Sequence, residues 1–202
     1  MKNFFELFKT ILTASKEASR QAAREVRKLL HSPHDGGQYK DITSIIENAP
    51  AEYEKIAEDF RQENFVVAIS VLYFLHNREN QPNFLFPWLF HLLRHENGNI
   101  RQAAVRMIEH EIGPLTYHLR FPNEKTGYHK LPPEEADHIL FELFMNLHSL
   151  MAGFWKPTYN RHKYISSLPN GTYKSAQLIM SRLEDDCGKE YLDHLKNYGQ
   201  NL

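Results

Sequence analysis

Residues 86–114, FPWLFHLLRHENGNIRQAAVRMIEHEIGP, decide how the chain is read. Leu85, Leu89, Leu92 and Leu93 recur at i, i+4, i+7 and i+8, and Ile100, Ala103, Ala104, Met107 and Ile108 at i, i+3, i+4, i+7 and i+8. Each spacing predicts a helix with one apolar face, and each face needs a neighbour. Gly98 is expected to stop the first helix in a left-handed conformation, and Asn99 to cap the second, with Gln102 completing a capping-box-like pattern. Gly113-Pro114 is expected to end it.

Pro87, Leu92-Leu93, Asn97 in the turn, Ile100-Arg101 and then Ala103-Ala104 follow the usual order of a HEAT repeat, so residues 85–114 resemble one unit of the HEAT-repeat (armadillo-like) helical family. The resemblance implies an all-α fold of HEAT-like antiparallel helix pairs stacked as a short right-handed α-solenoid. It also implies that the second helix of each pair lines the concave side. His95 and Asn97 stand where such repeats often carry Asp, so Arg101 is expected to be free for a partner other than a neighbouring repeat.

Working outward, residues 3–12 and 14–31 read as a first pair, with stripes of Phe4, Phe8, Ile11 and Leu12 and of Ala18, Ala22, Val26, Leu29 and Leu30. Arg20-Gln21-Ala22-Ala23 recurs as Arg101-Gln102-Ala103-Ala104, an offset of 81 residues, about twice a HEAT period. Between them a helix is expected from Asn64 to Asn77, paired with one over roughly 51–62, while SPHDGGQYKD at 32–41 reads as loop. A short turn of helix over 115–121 leads into the polar loop PNEKTGYHKLPP. Pro132-Pro133 then opens the longest helix, to about Phe154, with Ile139, Leu143, Leu147, Leu150 and Phe154 as its stripe. Residues 157–172 are loop-rich, and short helices are expected near 173–186 and 188–198. The expectation is one helical-repeat domain over 1–202, with an internal boundary near 122–132 separating the pairs of 1–121 from a C-terminal helical part, 133–202.

Composition narrows the function classes. A net charge of −1 gives no global attraction to nucleic acid or to an anionic membrane, so any such attraction must be local. The mean hydropathy of −0.56 is slightly polar, as an elongated fold with much exposed surface would be. One cysteine, Cys187, excludes an internal disulfide framework and fits a reducing compartment. No stretch approaches the roughly 18 apolar residues of a membrane span, and the N-terminus lacks a signal-peptide core; the chain is read as cytoplasmic, without a membrane partner.

Two charged regions stand out. Lys16, Arg20, Arg24, Arg27 and His31 fall on one face of the second predicted helix, which would face a ligand if that helix lines a concave side. From Leu143 to Leu183 there is no Asp or Glu, while Lys156, Arg161, Lys163, Lys174 and Arg182 are interleaved with Trp155, Tyr159, Tyr164 and Tyr173. Cations beside aromatic faces suit phosphates with exposed bases, or an acidic protein segment. The bland reading is a solvated face tempered by Glu17 and Glu25 for the first region, and solvated Lys and Arg over packed aromatics for the second.

Twelve histidines invite a search for metal or acid–base chemistry. His91 and His95 have i, i+4 spacing but no assigned third ligand. Glu135-x-x-His138 matches half of a di-iron motif, with Glu142 on the same face. His34-Asp35 resembles the adjacent pair of helical HD phosphohydrolases, yet it sits in a Gly-rich loop. Glu184-Asp185-Asp186 beside Cys187 opposes thiolate formation. There is no GxSxG, phosphate-cradling loop or dinucleotide fingerprint, and no cofactor is implied. The function expected is therefore a non-catalytic interaction module that binds a partner protein on its concave face. The alternative is a nucleic-acid-binding protein resembling HEAT-like DNA alkylation-repair proteins, using Arg20, Arg24, Arg27, Arg101, Arg106 and the 155–174 segment for phosphate contacts.

Overall fold

A computed structural model describes residues 3–31, 38–75, 85–123 and 131–198. Its elements are helical throughout: α1 (Phe4–Thr13), α2 (Lys16–Leu30), α3 (Gln38–Glu47), α4 (Ala49–Tyr53), α5 (Asp59–Leu72), α6 (Phe86–Leu93), α7 (Gly98–Leu115), α8 (Tyr117–Arg120), α9 (Pro133–Phe154), α10 (Thr172–Cys187) and α11 (Lys189–Tyr198). Short 3-10 turns cover Tyr73–Leu75, Pro157–Arg161 and Ile165–Ser167. Among the described residues there is no strand, and no helix is long and apolar enough to cross a membrane.

The local chemistry explains most of the boundaries. Asn3 caps α1 by accepting from the Glu6 amide, and Ser15 accepts from the Ala18 amide at the start of α2. Gly188 (φ 78°) takes a left-handed conformation that ends α10 and lets α11 begin at the next residue. The α6–α7 turn differs from the expected one. Asn97, not Asn99, is the cap, its side-chain oxygen accepting from the Asn99 and Ile100 amides at 2.8 and 3.4 Å. Gly98 is simply the first helical residue. Pro114 lies inside α7, which ends one residue later at Leu115, where the Thr116 amide and hydroxyl both donate to Ile112 O, at 2.9 and 2.8 Å.

The partner of α5 is also corrected. Residues 38–47, partly assigned to loop, form α3; residues 32–37, including His34-Asp35, lie outside the described residues, as does the expected end of the following helix at Asn77. Ile42 and Ile46 of α3 are fully buried, whereas the expected helix over 51–62 is broken after Tyr53. Gln62 donates to Ile56 O at 2.8 Å, holding the connection as a turn before α5.

The helices pack in succession: α2 on α5, α5 on α7 and α7 on α10; α1, α6 and α9 pack respectively against α2, α7 and α10, while α3 touches α1 and α5. A single apolar core runs through them from Phe4 to Leu195, with Ile69, Leu89, Leu92, Ile100, Ile108, Leu147 and Ile179 fully enclosed. The helices after residue 131 therefore share the core of those before it. Leu92 lies at the α6–α7 seam, so Leu92→Ala should lower the unfolding free energy by about 2–5 kcal/mol, read as a lower urea midpoint at unchanged slope. A shift equivalent to less than about 0.5 kcal/mol would contradict that placement.

Candidate functional site

The face of α2, α5 and α7 carries a groove of about 850 Å³. α2 contributes Arg20, Arg24, Arg27, Lys28 and His31, and α7 contributes Arg106, so residues far apart in sequence converge. Its floor is apolar and small, with Ala23, Val67, Val71 and Ala103. Arg20, Arg24, Arg27 and Arg106 are exposed and have no ion-pair or hydrogen-bond partner among the described residues. Lys28 is paired with Glu25 at 2.7 Å. The only carboxylate lining the groove, among the described residues, is Glu63, and the side-chain amides of Asn97 and Asn99 donate to it at 2.7 and 2.8 Å. Like charges gathered on one surface repel one another, and an anionic group placed there would offset that repulsion.

Arg101 is not part of this surface. Its side chain is buried, and Nη1 donates to His95 O and Glu96 O, both at 2.7 Å. It is thus bound to the carbonyls of its own turn, not free as expected, and burial lowers its pKa. Sequence spacing could place Arg106 one turn beyond Gln102 but could not bring it to α2.

The second charged region divides. Lys174 is half-buried and its ammonium donates to Ser166 O and Leu168 O, at 3.0 and 3.1 Å, so it holds the loop. Arg182 lies 3.2 Å from Asp186. Trp155, Lys156, Arg161 and Lys163 are exposed. Trp155, Tyr159, Lys163, Tyr164 and Tyr173 line one shallow pocket of about 360 Å³, in which the Tyr159 and Tyr173 rings are 4.8 Å apart.

The titratable candidates are accounted for structurally. His95 Nδ1 accepts from the Asn97 amide at 3.0 Å, and His91 meets the Tyr53 ring edge-on. His138 faces Glu142 at 3.5 Å on the exposed side of α9. No group of three His, Cys, Asp or Glu among the described residues could hold a metal ion. Burial, with Asp186 adding to it, pushes the Cys187 thiol up to about 12, so it is a poor nucleophile. A cluster that sequence spacing did not suggest joins α8, α9 and α11: Asp137 accepts from the Tyr191 hydroxyl and pairs with His118 Nε2 at 2.8 Å. Its partners are 19 and 54 residues away from Asp137, beyond the reach of any periodicity argument.

Comparison with known proteins gives no match: no family model fits the sequence, no curated protein aligns with it, and no solved structure matches its fold.

Burial first, and then the neighbouring His91, lowers the His95 pKa below its ordinary 6.5. A depressed folded-state pKa means that stability present above the unfolded value is lost as pH falls through the folded one. Protonation at Nδ1 would also break the bond from the Asn97 amide. Between about pH 7 and about pH 5, His95→Gln should therefore lose less stability than the parent in urea unfolding. Equal losses in the two proteins would contradict the assigned role.

Proposed function

We propose that the chain is a non-catalytic interaction module built from HEAT-like helix pairs, in which α2, α5, α7 and α10 form the inner wall of a short solenoid. The ligand is a partner protein, and it lies along the α2–α5–α7 groove. Support for the repeat reading comes from the wording of residues 85–114 and from the order of packing, in which each inner helix rests on the next.

The observation that carries the reading is the arginine rim over an apolar floor. Arg20, Arg24, Arg27 and Arg106 favour an anion, while Ala23, Val67, Val71 and Ala103 favour apolar side chains beneath it. A segment with acidic flanks and one apolar face satisfies both, as a helix laid in a groove does. A phosphate backbone would use the rim and leave the floor without a partner. The net charge of −1 likewise provides no long-range attraction for nucleic acid.

Fluorescence anisotropy of a labelled peptide with Leu at helical spacing and Glu elsewhere tests this. The peptide should bind, its scrambled counterpart should bind at least roughly tenfold more weakly, and Arg24→Glu should abolish most of the binding, a loss on the order of 2 kcal/mol or more. Equal binding of both peptides, or salt-sensitive binding of duplex DNA that Arg24→Glu removes, would replace the protein-partner reading with a charge-only or nucleic-acid one.

A further inference from the structure

A separate site lies in the connection between α9 and α10. The 17 residues from Trp155 to Gly171 form two 3-10 turns rather than a long helix. Such a connection in a compact core is long enough to ask what holds it. Lys174 reaches back from the first turn of α10 to Ser166 O and Leu168 O, Ser167 Oγ donates to Tyr164 O at 2.7 Å, and Leu168 is buried. The loop is thus pinned from within. Yet Trp155 is 46% and Tyr164 63% exposed.

Large aromatic faces left in water on a fixed support are a costly arrangement unless something stacks on them. Three further features indicate what that is. Lys163 Nζ stands over one face of the exposed Tyr164 ring, 5.4 Å from its centre, which sets a cation beside an aromatic ring whose other face is left to a ligand. Asn160 and Gln177 bring side-chain amides, each with donors and an acceptor, to the same pocket. No Asp or Glu occurs between Leu143 and Leu183, so nothing in the loop repels an anion. A planar ring to stack, polar edges to bond and a nearby negative charge are the three parts of a nucleotide. At about 360 Å³ the pocket is at the small end of ligand sites, enough for one such unit and too small for a folded segment. A proline-rich peptide would also use the rings, but it would leave Lys163 without a counter-charge.

We infer that the Trp155–Tyr164 pocket binds a nucleotide unit, its base stacked on the exposed aromatic faces and its phosphate held by Lys163. The inference goes beyond the groove reading and does not depend on it, since the groove and the pocket share no lining residue. The ligand has two sources, a free mononucleotide or one residue of a single strand.

Trp155 provides the readout. Of the two tryptophans, Trp88 is buried in the core and Trp155 is open to solvent, so stacking should quench the accessible part of the fluorescence. The full chain is titrated at low salt with 5′-AMP, with an oligothymidylate and with inorganic polyphosphate, which has charge but no base. Quenching by AMP assigns the free nucleotide as ligand; quenching by the oligomer alone assigns the strand. By anisotropy of the labelled nucleotide or oligomer, Trp155→Ala and Tyr164→Ala should each weaken binding roughly tenfold, Trp155→Phe should retain it, and Arg24→Glu should leave it unchanged. The inference is overturned if neither AMP nor the oligomer quenches, if polyphosphate quenches equally, or if Trp155→Ala binds as the parent does.

Discussion

The hydroxyl of Ser19, fully buried between three helices, marks the constraint on which the groove depends. It donates to Ile11 O at 2.8 Å and accepts from the Asn64 side-chain amide at 3.0 Å, so α1, α2 and α5 are joined through one atom. Both partners are satisfied, which is what makes a buried polar contact tolerable. The residues around it on α2 are small: Ala22 and Ala23 are buried against the neighbouring helices. Small side chains at a helix crossing let the axes approach closely. Close approach of α2, α5 and α7 brings the arginines of the first and Arg106 of the third to one groove.

The same chemistry explains why the arginines divide into two kinds. Arg101 follows Ile100 on the buried side of α7, and its guanidinium is used to satisfy two carbonyls of the α6–α7 turn. Arg20, Arg24, Arg27 and Arg106 point away from the core and meet no carboxylate among the described residues. Glu63 brings one negative charge to the groove, where the side-chain amides of Asn97 and Asn99 hold it in place. What remains is a positive rim over a small apolar floor.

Much of the fold could be read from spacing alone. The stripes of α1, α2 and α7, and the proline-opened α9, appear within one or two residues of their expected bounds, because each is strongly periodic, whereas α6 ends at Leu93, well before the expected stop at Gly98. α3 was hidden by its neighbours in sequence, since Gly36-Gly37 and Pro33 made the segment read as loop and obscured the Ile42, Ile45, Ile46 stripe. The cap at Asn97 and the end of α7 beyond Pro114 depended on side-chain hydrogen bonds that composition does not reveal. At the site, the α2 stripe was legible because helical periodicity alone puts Arg20, Arg24, Arg27 and His31 on one face. Arg101 and Lys174 were not, because whether a cation meets solvent or a backbone carbonyl is decided by the packing around it. The arrival of Arg106 opposite α2 is a tertiary fact with no local signal.

The measurement closest to the central claim is amide chemical-shift mapping of the labelled chain during titration with the acidic amphipathic peptide. A single groove predicts that residues 20–31 of α2, 63–71 of α5 and 99–106 of α7 shift together along one binding curve, while residues 155–177 stay in place. Shifts confined to one helix, or centred on 155–177, would contradict the account.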